Sequence, residues 1–240
     1  IFYFLSVFLL VFFVANPVLA FIERVSVDSS SDQVLSNSFN SSVSDDGRYI
    51  AFESDDSGLV SLDINGVTDI FVHDRQTGTT ERVSVDSLGV EGNAASYSSR
   101  ISGDGRYVVF LSDSDNLVVG DSNTFTDVFV HDRQTDSTER VSVDSLGAEA
   151  TLGVMNSPFY GRRPDISIDG RYVVFQSESD DLVAGDINGT FDVFVHDRQT
   201  DVTERVSVDS LGNESNDFST GDTTEEHQIS ISGDGRYVVF

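Results

Sequence analysis

The chain has 240 residues, of which 41 are acidic and 14 basic, and its formal net charge is −27. All 14 basic residues are arginine, and cysteine is absent. A surface this negative repels nucleic acid and anionic lipid, and without cysteine no disulfide can stabilise the fold.

The chain begins with an apolar stretch that is typical of a secretory signal peptide. Residues 1–20 contain an apolar core of about 14 residues before Asn16-Pro17. Val18 and Ala20 fit the small-residue rule for cleavage, so we expect cleavage after Ala20 and export to the periplasm or the extracellular space. The alternative is an uncleaved membrane anchor. Because the chain starts inside the apolar run and without methionine, we expect the start of the signal to be missing.

Three phrases repeat in the same order along the rest of the chain. Ser-x-Asp-Gly-Arg-Tyr occurs at residues 44–49, 102–107, 167–172 and 232–237. His-Asp-Arg-Gln-Thr begins at residues 73, 131 and 196, and Glu-Arg-Val-Ser-Val-Asp begins at residues 23, 81, 139 and 204. The glycines of the first phrase, at 47, 105, 170 and 235, are 58, 65 and 65 residues apart. A period of this length is typical of a repeat architecture.

Each repeat predicts four short strands, which we name a to d. In the second repeat, strand a ends at Ser102, and strands b, c and d are residues 107–111, 127–131 and 138–144. Strand b is a continuous apolar run, as expected of a strand that is covered on both faces, whereas the alternation in strand d suits an outer strand with one wet face. A repeated four-stranded meander is a propeller blade, and neighbouring blades cover each other's faces. The sequence therefore predicts an all-β, partial β-propeller of four-stranded antiparallel blades.

The order of these phrases resembles the TolB-like, WD-repeat-like β-propeller family of bacteria. The resemblance is carried by Ser-x-Asp-Gly-Arg-Tyr-Val-Val-Phe, then Asp-Val-Phe-Val-His-Asp-Arg-Gln-Thr, then Thr-Glu-Arg-Val-Ser-Val, and it covers residues 21–240. The units here are long for the family, and the usual proline before Asp-Gly is replaced at Asp45, Gly103, Ile168 and Gly233. Because family members mostly act as binding platforms or as accessory domains of enzymes, the resemblance implies no single chemistry.

Residues 21–240 are expected to hold about three full blades, an opening d strand and the start of a further blade. Closed propellers have about 4–8 blades, so we expect an incomplete propeller and interpret the chain as a gene fragment. The opening d strand, residues 23–28, is expected to pair with the last blade and close the ring. The alternative is loose pairing with whichever edge is free.

Strand parity predicts one face that carries the variable, acidic connections. The a–b and c–d turns share one face, and the b–c and d–a connections share the other. The b–c segments, residues 53–69, 112–127 and 177–192, hold 5, 4 and 5 acidic residues and no arginine. Charged, variable loops on a rigid scaffold commonly carry function. We therefore predict an exported, non-catalytic binding platform for a protein, peptide or glycan, with no nucleic-acid partner and no membrane partner after signal cleavage.

Each b–c segment ends in Asp-x-Asn-x-x-x-Asp. Oxygen ligands at positions 1, 3 and 7 resemble part of a calcium loop, although the ligands expected at positions 5 and 12 are missing. The alternative is an Asx-turn, in which these side chains cap the amides of their own loop. The candidate calcium ligands are Asp63, Asn65, Asp69, Asp121, Asn123, Asp127, Asp186, Asn188 and Asp192.

A second candidate site lies in the insert at residues 148–164, which is the aromatic and basic cluster of an otherwise acidic face. Phe159, Tyr160, Arg162 and Arg163 form a possible stacking and anion-binding edge of a ligand pocket. The alternative is that Phe159 and Tyr160 fill the gap between two blades.

Signatures of catalysis are absent from the sequence. It has no nucleophile elbow, zinc-protease motif, phosphate loop or cysteine nucleophile. The His-Asp pairs recur in every repeat, whereas one active site needs one pair, so we expect them to tie strand c to a neighbouring strand or arginine. Two alternatives stay open: the propeller of a larger secreted hydrolase whose catalytic part lies elsewhere, and a calcium-stabilised surface module.

Overall fold

The computed structural model describes residues 22–33, 35–154, 163–214 and 229–240. These residues form three four-stranded antiparallel sheets and one two-stranded hairpin. Within the same ranges, no helix is long and apolar enough to cross a membrane. The predicted signal segment, residues 1–20, lies outside the described residues.

The sheets follow the chain, one repeat to a sheet. The first blade contains β1 (Ser38–Val43), β2 (Tyr49–Ser54), β3 (Asp69–Asp74) and β4 (Thr79–Arg82). The second contains β5 (Ser96–Ile101), β6 (Tyr107–Ser112), β7 (Asp127–Asp132) and β8 (Ser137–Arg140). The third contains β9 (Asp165–Ile166), β10 (Tyr172–Ser177), β11 (Asp192–Asp197) and β12 (Val202–Arg205), and the hairpin is β13 (Ser230–Ile231) with β14 (Val238–Val239). Strands pair in chain order within each blade, which confirms the prediction of an all-β propeller with four-stranded antiparallel blades.

The core lies between consecutive blades. Ala51 and Val72 of the first blade belong to one buried cluster with Val108 and Phe110 of the second. A second cluster joins the second blade to the third, and a third cluster joins the third blade to the hairpin. Five of the six residues of strand b are buried in each blade, as the continuous apolar run predicted. Each blade thus shields its neighbour's apolar face from water.

Strand d is shorter than predicted, and its end does not have the expected wet face. In the second blade it ends at Arg140, whereas the prediction extended to residue 144. The chain then crosses to the third blade, where the carbonyl of Val143 accepts a hydrogen bond of 2.5 Å from the hydroxyl of Thr203. Ser142 is buried, and its hydroxyl donates to the buried carboxylate of Asp127, which compensates the burial of this polar group.

Residues 22–28 do not form the predicted strand. Their one β-bridge joins Val27 to Gln33. The segment lies against the first blade, where the carbonyl of Val27 accepts from the hydroxyl of Thr80 and Glu23 pairs with Arg75 at 2.7 Å. Val85 and Glu81 make the same contacts with the second blade. The segment therefore occupies the position that strand d of a preceding blade would take, and ring closure stays a prediction.

The His-Asp pairs are structural, as predicted. In the first blade, Asp74 accepts two hydrogen bonds, of 2.9 and 2.7 Å, from the guanidinium of Arg48. This ion pair holds the pKa of Asp74 well below its usual range. The Nδ1 atom of His73 bonds to the hydroxyl of Thr80 at 2.9 Å, which ties strand c to strand d. The same contacts recur in the second and third blades.

Candidate functional site

The strand pairing separates two faces of the molecule. The a–b and c–d turns lie together because the start of β2 pairs with the end of β3, and the end of β3 pairs with the start of β4. The b–c and d–a connections lie at the opposite ends of the same strands. We call these the turn face and the loop face. The arrangement confirms the predicted strand parity.

Each b–c loop is anchored to its blade by one buried arginine among three carboxylates. In the first blade, Nη1 of Arg82 lies 3.4 Å from Asp63, 3.4 Å from Asp69 and 2.7 Å from Glu91. Glu91 also accepts a hydrogen bond of 3.1 Å from the backbone of Ile64, so it joins the d–a connection to the b–c loop. The corresponding clusters are Arg140 with Asp121, Asp127 and Glu149, and Arg205 with Asp186, Asp192 and Glu214.

These clusters contain more negative charge than their arginine neutralises. Burial, followed by repulsion from Asp69, raises the pKa of Asp63 to about 6, against the opposing effect of Arg82. Burial and the neighbouring Asp127 raise the pKa of Asp121 to about 6 for the same reasons. Burial also raises the pKa of Asp186. The clusters therefore favour proton uptake in mildly acidic solution.

The predicted calcium ligands lie in these clusters, but their asparagines are used otherwise. The Oδ1 atom of Asn65 accepts from the backbone of Val67 at 3.1 Å, and its Nδ2 donates to Asp69 and to the carbonyl of Gly92. Oδ1 of Asn123 and of Asn188 likewise accepts from the amide two residues on. This geometry is the Asx-turn alternative. The three carboxylates Asp63, Asp69 and Glu91 are close enough to share a cation, and the cation beside them is the guanidinium of Arg82.

Sequence reasoning missed Glu91, Glu149 and Glu214 as partners of these aspartates. Each lies nine residues after its arginine, beyond the end of strand d, and a bridge such as that between Val85 and Glu91 turns it back towards the cluster. The recurrence of a glutamate at this position in each of the three full repeats was the available signal.

The second candidate site lies mostly outside the described residues, as Phe159, Tyr160 and Arg162 do. Arg163 is described, and its guanidinium donates to the side-chain oxygen of Asn40 in the first blade. Asn40 in turn donates to Glu53 at 2.9 Å, and Glu53 also accepts from the backbone of Ser98 at 2.6 Å. Arg163 thus joins the third blade to a buried polar network of the first two. Burial raises the pKa of Glu53, while these hydrogen bonds and Arg163 lower it.

The loop face is less charged than the sequence predicted, because some of the acidic side chains of the b–c segments are buried. Glu53 and Asp69 belong to strands and are fully buried, and Asp63 lies inside its cluster. Exposed carboxylates remain along the three b–c loops. They are Asp55, Asp113, Asp115, Glu178, Asp180 and Asp181.

Exposed apolar side chains accompany these carboxylates, which the sequence analysis did not foresee. Leu62 is 80% exposed and Ile64 is 83% exposed, on either side of Asp63, whose side chain is buried. Val119, Phe125 and Ile187 are exposed on the other b–c loops. Leu62 has a left-handed backbone conformation, with φ of 67°, where the other two blades have glycine. Strained conformations of this kind concentrate at functional sites.

No family model matches the chain, and no curated protein matches it. Among solved structures, the chain is similar to TolB from Acinetobacter baumannii, with 17% identity and a TM-score of 0.48, over 85% of this chain and 37% of that chain. It is similar to a putative TolB from Agrobacterium tumefaciens, with 20% identity and a TM-score of 0.41, over 70% of this chain and 48% of that one. It is also similar to the β-propeller domain of the Trilobed protease from Pyrococcus furiosus, with 12% identity and a TM-score of 0.42, over 71% of this chain and 42% of that one. The chain spans less than half the length of these proteins.

Proposed function

We propose that this β-propeller is an exported, non-catalytic binding platform, and that its loop face holds a basic protein or peptide. The observation that carries the proposal is the composition of that face, where every b–c loop has both exposed carboxylates and exposed large apolar side chains. Leu62 and Ile64 share their b–c loop with the exposed Asp55, and Arg82 and Glu91 hold that loop in place. Exposed apolar surface rimmed by polar groups marks interaction sites.

The burial of the arginines that end strand d supports a basic partner, because these arginines add no exposed positive charge to the loop face. Arg82, Arg140 and Arg205 are the last residues of strand d, at the loop face, but all three side chains are buried among carboxylates. The b–c loops themselves contain no arginine. A cationic ligand therefore meets attraction along these loops, and an anionic one meets repulsion. This favours a protein or peptide with lysine and arginine over a neutral glycan.

The anchoring of the loops also supports binding. Because each b–c loop is attached through an ion-pair cluster and an Asx-turn, little conformational freedom remains to be lost when a partner binds. Export is the part of the proposal that depends on the N-terminal apolar segment. The lack of cysteine means that an oxidising compartment adds no disulfide to this fold.

The proposal is tested with short synthetic peptides and fluorescence anisotropy. A peptide of alternating leucine and lysine is the probe, and its controls replace every lysine by glutamate or every leucine by serine. We expect the full chain to bind the leucine–lysine peptide and neither control peptide, and we expect added salt to weaken binding. The double variant Leu62→Ser/Ile64→Ser should lose affinity, and Val202→Ser, which changes an exposed apolar residue near the turn face, should not. Equal binding of all three peptides contradicts the proposal.

A further inference from the structure

A cleft of about 480 Å³ opens at the outer rim between the first and second blades. Its apolar lining includes Val60 and Val85 of the first blade and Leu88 at the tip of the following turn. Glu81 and Asp136 contribute carboxylates, and His131 of the second blade also lines it. The volume is within the range of about 300–1,000 Å³ that is usual for ligand pockets.

Leu88 is held in an exposed position by a rigid turn. One carboxylate oxygen of Asp86 accepts hydrogen bonds from the amides of Leu88 and Val90, both at 2.8 Å. The hydroxyl of Ser87 accepts from the backbone amide of Thr138 at 3.0 Å, which fixes the turn to the outer strand of the second blade. Leu88 remains 88% exposed. An apolar side chain fixed in water in this way is preorganised to cover the stem of a ligand.

The charge of the cleft is negative. Glu81 is half-exposed, and one of its oxygens pairs with Arg133 at 2.5 Å. Asp136 is exposed at a c–d turn with φ of 54°. Arg82 also lines the cleft, but its guanidinium is shared among three carboxylates of its own cluster.

His131 adds no positive charge. The hydroxyl of Thr138 donates its proton to the carbonyl of Val85 at 2.5 Å, so the same hydroxyl accepts from Nδ1–H of His131 at 2.9 Å. This leaves the other ring nitrogen, Nε2, as an acceptor in a neutral imidazole. Burial lowers the pKa of His131, which keeps the ring neutral at physiological pH.

We infer that this cleft accepts an aliphatic chain that ends in a cation, as the lysine side chain does. The stem packs against Val60, Val85 and Leu88, and the ammonium group lies between the carboxylates of Glu81 and Asp136. The inference deepens the proposed function and rests on it, because it names the side chain by which a basic partner is held. Lysine suits such a site because its long apolar stem buries well while its charged head stays near water.

The repeat predicts a second copy of the cleft but not a third. Between the second and third blades, the corresponding residues are Val118, Glu139, Val143, Leu146, His196 and Asp201. Leu146 is as exposed as Leu88, and Ser145 is fixed to Thr203 as Ser87 is to Thr138. Before the first blade, Ser30 replaces the leucine and Gly78 replaces the aspartate. That position lacks both the exposed leucine and one carboxylate.

The test is a methyl NMR titration of the full chain with Nα-acetyl-lysine methylamide. The matched control is the norleucine analogue, which has the same stem without the ammonium group. We expect saturable chemical-shift changes of the Leu88 and Val85 methyl groups with the lysine probe and none with the norleucine analogue. Asp136→Asn should weaken this binding by about fivefold, as expected for the loss of one partly screened charge. Leu88→Ser should remove the shift at Val85 while leaving the shifts at Leu146 and Val143 intact.

Two results overturn the inference: equal shifts with the norleucine analogue, or a shift at Val85 that survives Leu88→Ser. Leu88 and Asp136 are exposed, so neither variant disturbs the core. Failure of the cleft is distinguishable from failure of the proposed function. If the leucine–lysine peptide binds while the lysine probe leaves Leu88 unshifted, the cleft is wrong and the binding platform stands. If neither ligand binds, the proposed function is also wrong.

Discussion

The ring of Tyr107 in the second blade lies directly against Gly170 of the third. Gly170 has φ of 71°, and a Cβ atom at this position would overlap the tyrosine ring. Two guanidinium groups flank the same ring, with Arg106 at 4.7 Å and Arg198 at 4.5 Å from its centroid. Tyr49 and Gly105 have the same relationship between the first and second blades. The phrase Asp-Gly-Arg-Tyr is thus an inter-blade clamp, which explains its recurrence without a catalytic role.

The clamp predicts that Gly170→Ala is far more destabilising than a glycine substitution in open space. Gly120 is the matched control, because it has φ of 86° and no atom near an added Cβ. Gly120→Ala should lower the free energy of unfolding by about 1 kcal/mol, the cost of a left-handed backbone. Gly170→Ala should lower it by about 3 kcal/mol, since overpacking is added to that cost. Urea unfolding measures both, and equal losses would contradict the clamp.

At Leu62 we predict the opposite effect, in which substitution by glycine stabilises the fold. Its φ of 67° is unfavourable for a branched side chain, and the other blades have Gly120 and Gly185 at this position. Leu62→Gly should raise the free energy of unfolding by about 0.5–1 kcal/mol, because the left-handed strain is relieved. The same variant should bind the leucine–lysine peptide less tightly. A gain in stability with unchanged binding would separate Leu62 from the proposed function.

The fold was predictable from the sequence because its phrases act locally. The apolar run from Tyr107 specifies a buried strand, and the turn before it requires the left-handed conformation of Gly105. The cluster around Arg82 was less predictable, because Glu91 reaches it only after the chain has turned back at the rim. The crossing of Val143 to the third blade was missed for a similar reason. The alternating pattern around Val143 suits a strand. The contact with Thr203 of the next blade shows that the chain has left its own sheet there.

The clusters predict that stability falls as the pH rises through the mildly acidic range. Asp63 and Asp121 have pKa values of about 6 in the folded protein, above the ordinary 3.8, so folding favours their protonated forms. Their contribution is therefore present in full below pH 4 and is lost between pH 4 and 6. Urea unfolding at a series of pH values measures the loss.

Variants isolate this effect from the general repulsion of an acidic chain. Asp63→Asn/Asp121→Asn should flatten the dependence on pH and should be more stable than the parent at pH 8. Asp55→Asn, which removes one exposed charge, is the control and should leave the slope unchanged. An unchanged slope in the double variant would show that these two carboxyls ionise normally.

The position of Arg82 among the candidate calcium ligands leads to a prediction for calcium binding. Because its guanidinium already lies beside Asp63, Asp69 and Glu91, we expect no heat of binding when millimolar Ca²⁺ is added to metal-stripped protein. Arg82→Gln should destabilise the fold by about 3–5 kcal/mol, because it leaves buried carboxylates without a cation. Calorimetry on the parent chain decides between the two interpretations of these loops. Binding heat there would favour the calcium-stabilised surface module.

The most direct test of the binding platform is hydrogen–deuterium exchange with and without the leucine–lysine peptide. We predict slower exchange in the b–c loops, residues 55–68, 113–126 and 178–191, and unchanged exchange in the c–d turn at residues 75–78, where Gly78 replaces the aspartate of the cleft. Slower exchange confined to the c–d turns, or no change anywhere while the peptide is bound, would contradict the assignment of binding to the loop face.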